Sequence, residues 1–86
     1  MSHHSEATVY SRPGCMKCRA TYRKIQAMGI PVAMKPLDDH PDRIDTMKEN
    51  GWLELPLVEV IVDGEEFTWA GMSQENLDAL DYVVRL

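Results

Sequence analysis

Residues 10–22, YSRPGCMKCRATY, hold both cysteines of the 86-residue chain. Cys15 and Cys18 stand three apart, directly after Pro13-Gly14 and at the start of a stretch with helical character. Upstream, ATVY (7–10) has the β-branched and aromatic content of a short strand. Downstream, residues 16–28 suit a helix. Cys18, Tyr22 and Ile25 recur at i, i+4, i+7 and form an inward stripe, while Lys17, Arg23 and Lys24 can face water. Gly29 and then Pro31 stop it. Strand, turn, C-x-x-C and helix, in that order, are a setting for redox chemistry.

Working outward, IPVAMKPL (30–37) reads as a second strand, and Pro31 and Pro36 confine it to a sheet edge because proline cannot donate to a ladder. A helix follows in DDHPDRIDTMKENG. Asp39 or His40 caps it, Pro41 suits its first turn and Gly51 ends it; His40 belongs to this cap rather than acting as a base. Ile44 and Met47 face inward, with Trp52 nearby. Leu57–Val62 and residues 66–69 pair as a hairpin across Asp63-Gly64. Ser73 caps a last helix whose inward stripe is Leu77, Leu80 and Val84. Met28, Met34 and Met47 are expected in the core, Met16 on an exposed rim between the cysteines. The order βαβαββα is satisfied by a four-stranded mixed sheet with three helices on its two faces, an α/β fold. It forms a single domain over residues 7–86 behind a flexible leader, 1–6, that includes His3 and His4.

The net charge of −5 argues against general nucleic-acid binding. Its distribution is uneven. Residues 7–37 carry Arg12, Lys17, Arg19, Arg23, Lys24 and Lys35 and no acid, so the cysteines lie in a positive segment of a negative protein. That segment is either a solvated helix face or a field that favours thiolate and draws an acidic partner. No apolar run reaches the roughly 18 residues of a membrane span, and the first ten residues lack the order of a signal peptide. The expectation is a cytoplasmic monomer without a membrane association.

Two cysteines can make a structural disulfide, half a metal site or a redox pair. A cytoplasmic setting disfavours the first. Structural zinc wants four ligands, and the three histidines are not spaced as a second pair, so no metal site and no bound cofactor are expected. The redox reading makes the Cys15–Cys18 disulfide itself the working group. Cys15, at the helix start, is favoured as thiolate by free N–H groups and the helix dipole, with Arg12 and Lys17 adding positive charge. Cys18, nearly a turn on, points inward. Cys15 is therefore the attacking thiol and Cys18 the resolving one. Pro56 opens the third strand. If the bond before it is cis, the Leu55 backbone is left open to pair with an extended cysteine peptide. Trp69 either packs beneath the active loop or seals the hairpin.

Taken together, VYSRPGCMKC, LPLVEV and WAGM resemble the glutaredoxin branch of the thioredoxin fold over nearly the whole chain. Within it, Cys15-Met16-Lys17-Cys18, GWLELPLV from Gly51 and WAGM from Trp69 are most similar to NrdH-type redoxins. The resemblance implies a cis Leu55–Pro56 bond and partner contacts at Arg12, Pro13, Met16, Lys17, Leu55, Pro56, Trp69 and Gly71. It implies a dithiol–disulfide oxidoreductase that carries electrons from thioredoxin reductase to class Ib ribonucleotide reductase or another disulfide protein. A glutathione-dependent glutaredoxin is the alternative. It is disfavoured because Met72, Ser73 and Gln74 stand where classical glutaredoxins have acids. A noncatalytic module using the dithiol as a metal clip or partner contact is the third reading.

Overall fold

In the computed structural model, which describes residues 4–86, the central strand β1 runs Ser5–Ser11. It is followed by α1 (Met16–Ala27), β2 (Val32–Pro36), a 3₁₀ turn (Leu37–Asp39), α2 (Pro41–Glu49), β3 (Leu57–Val62), β4 (Glu65–Ala70) and α3 (Gln74–Arg85). The sheet order is β2-β1-β3-β4, with β1 parallel to β2 and antiparallel to β3, and β3 antiparallel to β4. β2 is an edge strand, where Pro36 costs no ladder bond to a further strand. The Asp63-Gly64 turn has φ of +51° and +87°, the two left-handed residues that a tight hairpin following the strand twist requires.

Strand alternation divides the core into two parts. Val9, Val58, Val60 and Trp69 point to one face, where α1 contributes Cys18 and Ile25 and α3 contributes Leu77 and Leu80. Tyr10 and Leu57 point to the other, against Leu37 and Met47, with Ile44 and Trp52 packed alongside. Leu55 touches both clusters and so anchors the segment that enters β3. α2 is held down at its edge by Arg43, whose Nε lies 2.7 Å from Glu59 Oε2 and whose guanidinium stacks 5.6 Å from the Tyr10 ring. Tyr10 chiefly, then Glu59 and Asp42, raise the Arg43 pKa against the desolvation that lowers it.

Several expectations are corrected. β1 begins at Ser5, not Ala7, because Ser5 and Glu6 pair with Val62 and Ile61, and His4 N donates to Asp63 Oδ1. The leader expected over 1–6 is therefore partly strand, and residues 1–3 lie outside the described residues. β2 is shorter than 30–37, since Leu37 turns inward to open the 3₁₀ turn. Met34 is 39% exposed rather than buried, because β2 has no neighbour on its outer side. His40 is the N-cap residue of α2 but makes no side-chain cap bond; its ring instead meets Tyr10 edge-on at 5.0 Å.

Ser73 caps α3 as expected, its hydroxyl accepting from Asn76 N at 3.2 Å. Ser73→Ala is expected to lower stability by about 1 kcal/mol, read as a shift in denaturant midpoint with unchanged slope.

Candidate active site

The site is assembled where β1 ends. Arg12-Pro13-Gly14-Cys15 forms a turn closed by Cys15 N donating to Arg12 O at 3.3 Å. Pro13 suits the second position, and Gly14, at φ +79°, takes the left-handed third position that a type II turn demands. The turn delivers Cys15 as the N-cap of α1, with extended backbone (φ −79°, ψ 103°). Its sulfur accepts from Cys18 N at 3.2 Å, in the place usually taken by a serine or aspartate oxygen.

Cys15 and Cys18 are joined as a disulfide, their Cα atoms 5.3 Å apart. Their surroundings differ. Cys15 is half-buried, whereas Cys18 is 1% exposed among Val9, Ile25 and Leu77. Met16, between them, is 72% exposed. Trp69 is buried in the same core cluster as Cys18, against which Cys15 packs.

The segment before β3 reaches α1 through Glu54, whose Oε1 lies 3.5 Å from Lys17 Nζ, and is joined to the turn after β4. The Leu55–Pro56 peptide is cis, and Pro56 is fully buried. Gly71 N donates to Pro56 O at 2.8 Å, tying the two segments together. Leu55 has no backbone hydrogen bond among the described residues. Gly71 has φ +83°, and a Cβ on it would stand 3.0 Å from Glu54 Oε2 and 3.4 Å from Glu54 Cβ. Gly71→Ala therefore meets both a left-handed backbone and the Glu54 side chain. It is expected to cost at least about 1–2 kcal/mol, measurable as a lower melting temperature, and to displace the residue next to Leu55.

Charges were legible along the chain but not their pairing. Arg12 Nη2 lies 3.0 Å from Asp38 Oδ1, and Lys17 Nζ lies 3.5 Å from Glu54 Oε1. The two cations expected to support the Cys15 thiolate are thus each matched by a carboxylate from the acidic half of the chain. Both pairs are exposed, so each is worth little in stability, but each offsets part of the local positive field. Sequence reasoning overlooked Asp38 and Glu54, because each lies far along the chain from the cation it meets. Among the described residues no cluster of three His, Cys, Asp or Glu side chains could hold a metal, and no helix is long and apolar enough to cross a membrane.

Arg12 and Pro13 line one cleft with Cys15, Met16 and Lys17 stand between the cysteines, Lys17 reaches Glu54 beside Leu55-Pro56, Pro56 is tied to Gly71, and Trp69 shares the core cluster of Cys18. The glutaredoxin family model matches residues 7–67. The glutaredoxin-like protein NrdH of Salmonella typhimurium is 30% identical over 73 residues, spanning 85% of each chain. The solved NrdH-redoxin of Escherichia coli superimposes with a TM-score of 0.68 at 25% identity, covering 87% of this chain and 93% of that one. Fasciola hepatica thioredoxin, at 16% identity and a TM-score of 0.59, covers 94% of this chain and 81% of its own, and shares the fold. A half-exposed and a buried cysteine at a helix start, on a βαβαββα frame matched by these relatives, make this chain a thiol–disulfide oxidoreductase that belongs to the glutaredoxin family, on its NrdH-type branch.

Proposed function

We propose that this redoxin takes electrons from thioredoxin reductase and delivers them to ribonucleotide reductase, or to another protein disulfide, in the cytoplasm. Cys15 is the attacking thiol and Cys18 the resolving thiol. The observation that carries these roles is the asymmetry of the pair: Cys15 is half-buried at an N-cap with a backbone N–H 3.2 Å from its sulfur, and Cys18 is buried. That N–H and the α1 dipole favour the Cys15 thiolate over the thiol.

In the reduced protein the Cys15 thiolate attacks one sulfur of the target disulfide. The Cys15–target bond forms, the target's own S–S bond breaks, and its other sulfur leaves as thiolate and is protonated. Cys18 then loses its proton and attacks the Cys15 sulfur, which releases the target's second thiol and leaves the Cys15–Cys18 disulfide. Two electrons pass to the target, with one proton from Cys18 and one from solvent. Leu55, with no backbone partner of its own among the described residues, offers hydrogen bonds to an extended target segment beside Cys15.

Two observations favour thioredoxin reductase over glutathione as the reductant. The Escherichia coli NrdH-redoxin is described as having a thioredoxin-like activity profile. Here Ser73 is committed to capping α3, and its neighbours Met72 and Gln74 carry no charge where classical glutaredoxins carry acids. The test is NADPH oxidation during disulfide reduction, run with thioredoxin reductase and, separately, with glutathione plus glutathione reductase. Turnover is expected with the first system. Turnover confined to the second would overturn the assignment of the reductant.

A further inference from the structure

Pairing of Arg12 with Asp38 and of Lys17 with Glu54 leaves two cations near the dithiol without a carboxylate. Among the described residues neither Arg19, on α1, nor Lys35, on β2, has an ion-pair partner. Both are exposed, and both line one cleft of about 260 Å³ that also includes Cys15, with Pro13 and Met34 as apolar walls. The cleft lies on the β2 side of Cys15. The Leu55–Pro56 segment and Glu54 do not line it, and Glu54 meets Lys17 instead. A substrate chain attached at Cys15 therefore meets two different surfaces, one with two unpaired cations and one where Lys17 and Glu54 offset each other.

We propose that the Arg19–Lys35 cleft is a specificity site that takes acidic side chains flanking the reactive cysteine of a protein or peptide disulfide, on one side of that cysteine only. Two unpaired cations on different elements, converging on one cleft, fit a pair of carboxylates better than a single buried anion. Because the cleft opens to Cys15, an occupant is brought to the sulfur as it binds. Met34, exposed where a core residue was expected, gives the methylene groups of a glutamate an apolar wall. On the opposite side Lys17 is already matched by Glu54, so among the described residues no unpaired cation there draws a second acidic flank. The preference is thus directional, unlike the attraction that a diffuse positive field would exert.

The inference rests on Cys15 being the attacking thiol, not on which protein supplies the disulfide. The experiment uses reduced protein and three peptide disulfides: acidic residues before the cysteine, the same residues after it, and a neutral control. The readout is kcat/KM relative to the neutral peptide, so that any change in Cys15 reactivity divides out. At low ionic strength one acidic isomer is expected to exceed the neutral peptide by about tenfold, and the other by less than about twofold. Arg19→Glu/Lys35→Glu is expected to bring the favoured ratio to about one, and the neutral pair Arg19→Gln/Lys35→Gln to bring it part of the way. Lys48→Glu/Arg85→Glu, the same charge change on α2 and at the end of α3, is expected to leave the ratio within about twofold. Equal gains for both isomers, or equal loss in both charge-reversed variants, would reduce the effect to net charge and overturn the site. Turnover of all peptides without preference also overturns it. Absence of turnover with every peptide would instead count against the role of Cys15.

Discussion

Cys15→Ser is expected to abolish disulfide reduction, by at least about 10³-fold, because an alcohol at this position is almost entirely un-ionised and a far weaker nucleophile than a thiolate. Cys18→Ser is expected to behave differently. The first exchange survives, since Cys15 keeps its half-exposed position and its N-cap hydrogen bond, which comes from the backbone of residue 18 rather than its side chain. The second exchange is lost, and the protein accumulates as a mixed disulfide with its target. Mass spectrometry of each variant after incubation with a peptide disulfide checks both statements. The expected result is a stable adduct on Cys15 in Cys18→Ser and none on Cys18 in Cys15→Ser. An adduct on Cys18 alone would reverse the roles. The 1% exposure of Cys18 suits the resolving role proposed for it, which requires it to reach only the Cys15 sulfur.

Trp69→Ala is the substitution expected to damage the fold most among residues near the site. Trp69 is 6% exposed and packs in the cluster with Val58, Cys18 and Leu77. Truncation leaves a cavity and costs about 3–5 kcal/mol, a large part of the roughly 5–15 kcal/mol that holds a domain together. For a domain of this size the melting temperature should fall by about 15–30 °C. Trp69→Phe is expected to be much milder, at about 1–2 kcal/mol. The indole Nε1 is buried without a hydrogen-bond partner among the described residues, so replacing it removes no bond and relieves a desolvated donor. Thermal unfolding of both variants checks the pair. If Phe proved as costly as Ala, the indole N–H would have an unrecognised structural role. Because Cys15 packs against this cluster, the surviving fraction of Trp69→Ala should also lose exchange rate at temperatures below its transition.

The elements of this chain were legible because their signals are local. Pro13-Gly14, the i, i+4, i+7 stripe from Cys18 to Ile25, Asp63-Gly64 and Ser73 each act within a few residues, and each does in the structure what its chemistry requires. The reading went astray where the outcome depends on neighbours distant in the chain. Met34 is apolar in a strand with alternating residues, yet it is exposed, since only the sheet order decides that β2 has an open side. Ser5 and Glu6 are polar and terminal, yet they are strand, since Val62 and Ile61 offer them a ladder. His40 marks the start of α2, but Tyr10, thirty residues earlier, decides where its ring goes.

The sequence by itself determined the dithiol: two cysteines three apart, placed at a helix start by a Pro-Gly turn, a matter of backbone geometry over six residues. It also determined the order of elements, through hydrophobic period and turn chemistry. Only the tertiary structure decided the electrostatics around that dithiol. Charges segregated along the chain are brought back together by folding, so that Asp38 meets Arg12 and Glu54 meets Lys17, while Arg19 and Lys35 are left facing one cleft. Local conformation is governed by interactions between residues a few positions apart, whereas a charge acts on whatever lies within several ångströms in space, and that neighbourhood exists only once the sheet has been assembled.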